Sequence, residues 1–174
     1  CLVAPTFGYV ACRVLVTMSR PRRLSGIDYT GPLAYSLTFC TRHRSPAFID
    51  ANVAHLVLTQ IRRTADAEWF AVLAYCLMPD HVHLLVQGTR ESASLARFVK
   101  MAKQRSGGVF ARRHARRLWQ EGYFERVVRK SDDLHVLASY IVANPVRAGL
   151  VASSRDYAYV GSDVWTLAEL IGSL

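Results

Sequence analysis

The amino-acid sequence predicts an α+β fold, specifically a ferredoxin-like antiparallel sheet with helices packed on it. The 174 residues are 51% hydrophobic and 20% charged, which is typical of one folded domain. Apolar residues alternate in some segments and recur at helical spacing in others. These segments follow the order strand, helix, strand, strand, helix, strand, helix. That order favours an antiparallel sheet over alternating parallel units.

Four segments have the pattern of strands. Residues 34–41 (AYSLTFCT) alternate and are rich in strand-forming side chains. Residues 69–78 form a nearly continuous apolar run that stops at a Pro-Asp pair, and residues 81–87 alternate again. The two segments predict antiparallel strands joined by a tight turn. Residues 123–128 predict a further strand.

Two helices are predicted between these strands. Residues 51–65 carry apolar side chains at helical spacing. Residues 92–103 repeat that spacing, with Ser92 or Ser94 available as the amino-terminal cap. The Ser-Gly-Gly run at 106–108 is expected to end this second helix.

Positive charge is concentrated in one part of the chain. The sequence has 22 Lys and Arg against 13 Asp and Glu, a net charge of +9, which favours a polyanionic partner such as DNA, RNA or an anionic membrane surface. Half of the basic side chains lie within residues 97–130, interleaved with aromatic residues. They are Arg97, Lys100, Lys103, Arg105, Arg112, Arg113, Arg116, Arg117, Arg126, Arg129 and Lys130. This arrangement is typical of a groove for single strands, although a solvated helix face with core aromatics has the same composition.

The amino terminus and the cysteines bear on the cellular setting. Residues 1–17 are apolar but interrupted by proline, glycine and arginine, so they predict neither a signal peptide nor a membrane anchor. We expect residues 1–17 to be a non-native or disordered extension, a natural start at Met18, and a single domain over residues 18–174. Cys40 and Cys76 lie in apolar runs, and the chain has no C-x-x-C pair, which favours a reducing, cytoplasmic setting.

The strand at 81–87 carries a pair of candidate metal ligands. Side chains two apart in a strand point the same way, so His81 and His83 project from one face. Two neutral imidazoles can hold a divalent metal and leave positions for oxygen ligands and a phosphate. The alternative is a polar face of a half-buried strand. The residues that follow exclude the histidine-triad, H-x-H-x-D-H and zinc-deaminase patterns.

A third predicted helix brings a tyrosine and an asparagine together. It is capped by the Ser-Asp-Asp run at 131–133 and ends near Asn144, because Pro145 follows. Tyr140 and Asn144 are four apart and share one stripe of the helix. A phenol is a weak nucleophile at neutral pH, but a metal that polarises the adjacent phosphate can offset this weakness. The alternative treats Tyr140 as a boundary aromatic and Asn144 as a helix terminator.

Three segments together resemble a known family. LMPDHVHLL at 77–85, LWQEGYF at 118–124 and YIVANPVRAGLV at 140–151 are similar in order and spacing to the REP-associated tyrosine transposases, within the single-tyrosine HUH transposase superfamily. The resemblance covers residues 29–159, which is most of the chain.

This resemblance implies a DNA-cleaving enzyme with a ferredoxin-like fold. By similarity, His81 and His83 bind Mg²⁺ or Mn²⁺, Asn144 assists the metal, and Tyr140 attacks a phosphodiester of single-stranded DNA. The expected products are a 5′-phosphotyrosine and a free 3′-hydroxyl, and the latter can reverse the reaction on another strand. The expected function is therefore metal-dependent cleavage and strand transfer in DNA transposition.

The resemblance also implies a partner, namely single-stranded DNA that folds into REP-like hairpins. By analogy, a basic arm near the amino terminus and the basic central region clamp the hairpin. The expected DNA-binding residues are Arg20, Arg22, Arg23, Lys103, Arg105, Arg112, Arg113, Arg116, Arg117, Trp119, Arg126 and Arg129. Both a monomer and a homodimer are compatible with the resemblance, and no membrane partner is expected.

Two alternatives stay open at this point. Family members commonly carry Asn at position 80, where this chain has Asp80, whose negative charge would either tighten the metal or repel DNA. The chain is alternatively a DNA- or RNA-hairpin-binding module of the same fold without chemistry. A structural or membrane-surface protein is disfavoured, because no basic amphipathic helix stands apart from the predicted core.

Overall fold

The computed structural model describes residues 29–129 and 131–172, which form one antiparallel sheet with helices on both faces. The strands are β1 (Ala34–Cys40), β2 (Phe70–Met78), β3 (His81–Gly88), β4 (Phe124–Val127) and β5 (Val160–Gly161). The α-helices are α1 (Ala51–Ala67), α2 (Leu95–His114), α3 (Leu134–Val142), α4 (Asn144–Arg147) and α5 (Leu167–Gly172). Short 3-10 turns lie at Arg42–Arg44, Ala47–Ile49 and Ser154–Asp156.

The topology is that of a ferredoxin-like fold. The sheet order is β4-β1-β3-β2-β5, and every neighbouring pair is antiparallel. The connection β1-α1-β2 spans β3, and the connection β3-α2-β4 spans β1, which is the split βαβ arrangement. The predicted fold class is confirmed, as is the order of the seven predicted elements.

Strand β3 divides the core between the two faces of the sheet. Val82, Leu84 and Val86 are fully buried in the cluster that includes α1 and α2. Leu85 points the opposite way and packs in the second cluster, with residues of α3 and α5. Because side chains alternate along a strand, His81 and His83 share the face of Leu85. The histidines therefore lie on the side of the sheet that α3 covers.

Helix boundaries follow local capping where the sequence provides it. Asp50 caps α1 through an oxygen that accepts from the Asn52 amide at 2.9 Å. Asp133 caps α3 in the same way, accepting from the amides of His135 and Val136. Capping by the Ser-Asp-Asp run at 131–133 is confirmed at Asp133. Ser94, one of the two serines predicted to cap the second helix, occupies the N-cap position of α2, but its side chain makes no capping hydrogen bond.

The predicted end of the second helix was wrong, because α2 continues through Gly107 and Gly108 to His114. The reason is tertiary packing. A Cβ at position 107 would lie 3.2 Å from Trp119 Cδ1, so a glycine lets the indole approach the helix. Ser106 Oγ donates to the Ala102 carbonyl at 2.6 Å and accepts from the indole N–H at 2.9 Å. Ser106 and Gly107 therefore form the surface of α2 on which the Trp119 indole packs.

The sequence analysis missed β5, α4 and α5. Strand β5 has only two residues, too few to show alternation. At its second residue, Gly161, a Cβ would lie 2.7 Å from the Tyr75 hydroxyl, so a side chain there would displace that ring. Among the described residues no helix is long and apolar enough to span a bilayer.

The continuity of α2 predicts opposite behaviour for its two glycines. Gly108→Ala should raise the free energy of unfolding by about 0.5–1 kcal/mol, because alanine is favoured over glycine inside a helix and the added Cβ meets only Arg112 Nη1 at 3.7 Å. Gly107→Ala should gain less or lose stability, because its Cβ presses on Trp119. Urea unfolding of both variants measures the difference. A Gly108→Ala protein less stable than the parent would show that the helix does not continue through this position.

Candidate functional site

The two histidines of β3 converge on one point. His81 Nε2 lies 3.0 Å from His83 Nε2, and the two rings are nearly perpendicular, with centroids 4.6 Å apart. Adjacent ligands of an octahedral divalent ion, each at about 2.1 Å, lie about 3.0 Å from each other. The pair therefore has a separation that suits two neighbouring ligands of one cation.

The opposite edges of the rings are held by hydrogen bonds. His81 Nδ1 is bonded to Asp80 Oδ1, and His83 Nδ1 lies 3.1 Å from Thr38 Oγ1. A carboxylate only accepts, so Nδ1 of His81 is the donor, and a neutral His81 then has a lone pair on Nε2. Thr38 Oγ1 either donates to or accepts from His83 Nδ1, and His83 presents a lone pair on Nε2 when the hydroxyl accepts. These partners on β1 and in the β2–β3 turn hold both rings with their Nε2 atoms at the shared point.

The surroundings of His83 disfavour a proton on its ring. The pKa of His83 is lowered to about 3, first because the ring is buried and then because the neighbouring His81 and Arg44 oppose a further positive charge there. At neutral pH this imidazole is uncharged and loses no proton when it binds a metal. Burial alone would raise the pKa of Asp80, but the hydrogen bond with His81 and the neighbouring positive charges hold it below its ordinary value.

Other ligands must come from outside the usual acidic and histidine groups. Among residues 29–129 and 131–172, no three His, Cys, Asp or Glu side chains cluster in a way that could hold a metal. Asn144 begins α4, and its Nδ2 donates to the Ile141 carbonyl at 3.0 Å. This bond uses the amide nitrogen and leaves the oxygen, the atom that Mg²⁺ and Mn²⁺ prefer. Two converging imidazole nitrogens are therefore the donors that the described residues bring together, and the Asn144 amide oxygen on α4 is a candidate for a further ligand.

Tyr140 lies on the helix that covers the histidine face. Its side chain is 51% exposed, while its neighbours Ser139 and Ile141 are buried. The Arg147 guanidinium carbon lies 3.9 Å from the centre of the Tyr140 ring. The positive charge of Arg147 also contributes to the lowered pKa of His83, so this arginine is within electrostatic reach of both groups. In the described part of the chain, the Tyr140 hydroxyl makes no hydrogen bond to either histidine.

The structure brings some of the predicted site residues into direct contact and leaves others on neighbouring elements. His81 and His83 are in direct contact. The prediction that one helix carries both Tyr140 and Asn144 was wrong, because α3 ends at Val142 and Asn144 begins α4. Helix α3 packs on β2 and β3, and α4 packs on β2. Sequence reasoning missed two contributors. Thr38 faces His83 through the β1–β3 register, which no local pattern encodes. Arg147 lies within the YIVANPVRAGLV segment, seven residues after Tyr140, but nothing in the sequence placed it over the ring.

Four exposed arginines lie close together in sequence near the end of α2. Arg112, Arg113, Arg116 and Arg117 are exposed, in the last turn of α2 and the segment after it; we call these four the α2-end arginines. This segment is tied to the turn after β1, because the Arg42 amide donates to the Leu118 carbonyl at 2.7 Å and Arg116 Nη1 lies 3.5 Å from Ser45 Oγ. That turn adds Arg42, His43 and Arg44, which sequence reasoning did not single out.

Several other predicted DNA-binding residues make contacts within the fold. Lys103 Nζ donates to the Gln120 carbonyl at 2.7 Å and to the Gly122 carbonyl, and burial lowers its pKa. The Trp119 ring packs on Phe39 and Phe48. These contacts hold the segment before β4 against the core, so we leave Lys103 and Trp119 out of the proposed DNA surface.

The remaining predicted DNA-binding residues are placed as follows. Arg105 Nη1 lies 3.5 Å from Thr64 Oγ1, and Arg126 pairs with Asp132 at 2.9 Å. Arg129 is exposed. The predicted arm, Arg20, Arg22 and Arg23, lies outside the described residues, as does the predicted extension over residues 1–17.

Comparison with known proteins assigns this arrangement to a family. A family model described as IS200-like transposase matches residues 30–144, which include both histidines, Tyr140 and Asn144. A protein of Haemophilus influenzae named as a candidate REP-associated tyrosine transposase is 26% identical over 153 residues, covering 82% of this chain and 84% of the relative.

Solved structures agree with the fold. A REP-associated tyrosine transposase bound to a REP hairpin matches with a TM-score of 0.69 at 20% identity, with 82% of each chain covered. A candidate transposase from Deinococcus radiodurans matches with a TM-score of 0.50 at 26% identity, covering 60% of this chain and 85% of the other. The resemblance found in the sequence is confirmed. The chain belongs to the family of IS200-like transposases, enzymes that cleave DNA.

Proposed function

We propose that this chain cleaves and rejoins single-stranded DNA beside REP-like hairpins, with Tyr140 as the nucleophile. The observation that carries the proposal is the convergence of His81 Nε2 and His83 Nε2 at 3.0 Å, on the sheet face that the Tyr140 helix covers. A polar strand face without chemistry has no need to direct two imidazole nitrogens at one point.

His81 and His83 would hold the cation, with the Asn144 amide oxygen as a further ligand. Mg²⁺ or Mn²⁺ held there would supply positive charge to the oxygens of the scissile phosphate. The two histidines contribute uncharged nitrogens, so the net positive charge of the cation is kept for the phosphate. Thr38 and Asp80 hold the rings in place through Nδ1.

The chemical step is a phosphoryl transfer to the phenol. The Tyr140 oxygen forms a bond to phosphorus, and the bond from phosphorus to the 3′ oxygen breaks. The proton lost by the phenol balances the proton gained by the 3′ oxygen. The products are a 5′-phosphotyrosine and a free 3′-hydroxyl, and attack by the 3′-hydroxyl of another strand reverses the step. The energy of the cleaved phosphodiester bond is kept in the covalent adduct, so rejoining needs no nucleotide cofactor.

Arg147 is placed to assist this step. Its guanidinium lies 3.9 Å from the Tyr140 ring centre, and its charge reaches His83. A phosphate that approaches both the phenol and the histidines comes close to this arginine. Arginine binds phosphate through a planar fork of donors. Arg147 therefore orients the scissile phosphate against the nucleophile.

The DNA surface is formed by the α2-end arginines. Four exposed guanidiniums on one short segment can contact successive phosphates, and this segment adjoins the turn that carries Arg44. Arg44 in turn pairs with Asp80 beside the histidines. A hairpin bound by these arginines places its flanking single strand near the histidine pair. The structural relative bound to a REP hairpin supports this class of substrate.

A hairpin-binding module without chemistry is the second candidate function. The exposed Tyr140 side chain, with no hydrogen bond to the histidines among the described residues, is the observation that favours it. The two functions share the basic surface. They differ in whether a covalent bond to Tyr140 forms.

Tyr140→Phe should abolish covalent adduct formation and leave hairpin binding unchanged. Only the hydroxyl is removed, and the ring that stacks on Arg147 remains, so stability should change by less than about 0.5 kcal/mol. Labelled hairpin DNA with Mg²⁺ or Mn²⁺, followed by denaturing electrophoresis, detects the adduct. Tyr157→Phe is the matched control. An adduct formed by Tyr140→Phe would remove Tyr140 from the role, and no adduct with the parent protein would favour the binding module.

His81→Ala should weaken Mn²⁺ binding and reduce cleavage by more than about 100-fold, the upper end of the effect of losing an outer-shell partner. One of the two converging nitrogens is lost. Paramagnetic resonance of free Mn²⁺ measures binding without DNA. His55→Ala, on the opposite face of the sheet, is the control and should bind Mn²⁺ like the parent. Equal Mn²⁺ affinity in His81→Ala and the parent would show that the pair is not a metal site.

Replacing Arg116 and Arg117 together by Gln should weaken hairpin binding and lower its salt dependence. Each lost phosphate contact reduces the slope of log K against log salt by about 0.7–0.9. Titrations at several salt concentrations measure the slope. Arg63→Gln, at the far end of α1, is the control and should keep the parent slope. An unchanged slope in the double variant would place the DNA on another surface.

A further inference from the structure

Asp80 is buried against the metal-site histidine although it is a turn residue. It lies between β2 and β3, and only 8% of its surface is exposed. Oδ1 is bonded to His81 Nδ1 at 2.5 Å, and Oδ2 pairs with Arg44 Nε at 2.9 Å. Both carboxylate oxygens therefore have a partner, and the side chain lies behind the imidazole, away from the face where Nε2 meets His83.

The segment that carries Arg44 is fixed to the Asp80 turn by its backbone. The Thr41 amide donates to the Asp80 carbonyl at 3.0 Å, and Thr41 Oγ1 lies 2.9 Å from the same carbonyl and 2.7 Å from the Ser45 carbonyl. Arg44 has a left-handed backbone (φ 53°), and its Nη1 donates to Cys40 Sγ at 2.9 Å. A non-glycine residue in this conformation persists only where the surroundings hold it. The Arg44 side chain is 49% exposed, and its contacts with Asp80 and Cys40 hold the guanidinium beside the turn.

The arrangement has the form of an outer-shell partner of a metal ligand. A carboxylate that accepts from one imidazole nitrogen keeps the proton there and leaves the other nitrogen free for a cation. A second contact to the carboxylate stops it from turning away into solvent. Arg44 makes that contact, and its charge offsets that of Asp80, so the acidic residue adds little net negative charge near the bound DNA.

We propose that Asp80 and Arg44 form a positioning pair for His81, in which Asp80 fixes the ring with its proton on Nδ1 and Arg44 holds Asp80 in place. The proposal rests on the cation site of the proposed function. It resolves the choice left by an acidic residue at position 80, because the carboxylate points at the back of the histidine and is matched by an arginine. The pair acts through His81 and does not touch the substrate.

The position of the His81 proton tests the pair without metal or DNA. Long-range proton–nitrogen spectra of the metal-free protein report which ring nitrogen carries the proton. The parent should show His81 with its proton on Nδ1, and Asp80→Ala should show a mixture of both forms. Asp80→Asn, which keeps an acceptor oxygen, should restore the parent form. A His81 proton that stays entirely on Nδ1 in folded Asp80→Ala would overturn the proposal.

Mn²⁺ affinity then separates positioning from simple electrostatics. Removing a positive charge near a cation site should, by charge alone, raise the affinity of the site for the cation. A positioning role predicts the opposite effect on affinity. Arg44→Gln should weaken Mn²⁺ binding, as Asp80→Ala should, by about 10–100-fold, the range typical of outer-shell partners. In an Asp80→Ala background Arg44→Gln should cause no further weakening, because no carboxylate remains to be held.

Arg42→Gln is the matched control, since it removes one positive charge from the same turn without a contact to Asp80. It should leave Mn²⁺ binding unchanged or slightly tighter. Tighter binding in Arg44→Gln as well, or additive losses in the double variant, would overturn the proposal. These outcomes are independent of the proposed reaction, because a parent protein that forms no adduct can still show the Nδ1 form of His81 and its loss in Asp80→Ala.

Discussion

Two imidazole nitrogens at 3.0 Å need a hydrogen atom or a cation between them, because facing lone pairs at this distance repel each other. A proton on one of the two nitrogens or a bound cation satisfies this requirement, and the rest of the site keeps the two rings in this arrangement. The register of β3 is part of that maintenance. A shift of one residue would move Val82, Leu84 and Val86 from the cluster that includes α1 and α2 to the opposite face of the sheet, and would turn both histidines away from α3. The burial of the apolar residues of β3 thus fixes the register that places His81 and His83 on the face of the sheet covered by α3.

The parts of the structure that were predictable are those encoded by local patterns. Alternation identified β1 and β3, and the Asp133 cap identified the start of α3. The H-x-H spacing placed two side chains on one face. Features that depend on distant contacts were not readable. The helix continues through Gly107 because Trp119 packs there, and Thr38 reaches His83 only through strand pairing. Tyr140 was identified through the resemblance, since its spacing to Asn144 alone left a structural role open.

The basic residues divide into two groups that the sequence does not distinguish. Lys103 donates hydrogen bonds to two carbonyls before β4, and Arg126 is paired with Asp132. The α2-end arginines are exposed. Composition counts all of them equally, but a side chain already engaged inside the fold contributes less to a surface for phosphates. A high density of positive charge therefore locates the region of a DNA surface without identifying the residues that form it.

The lengths of the outermost strands bear on self-association. In the described part of the chain, the sheet is bordered by β4, with four residues, and β5, with two. A strand of that length offers few free amides and carbonyls to an incoming chain, which is one way in which proteins avoid edge-to-edge pairing. A sheet continued from one copy of the described residues into another would therefore gain few backbone hydrogen bonds at either border.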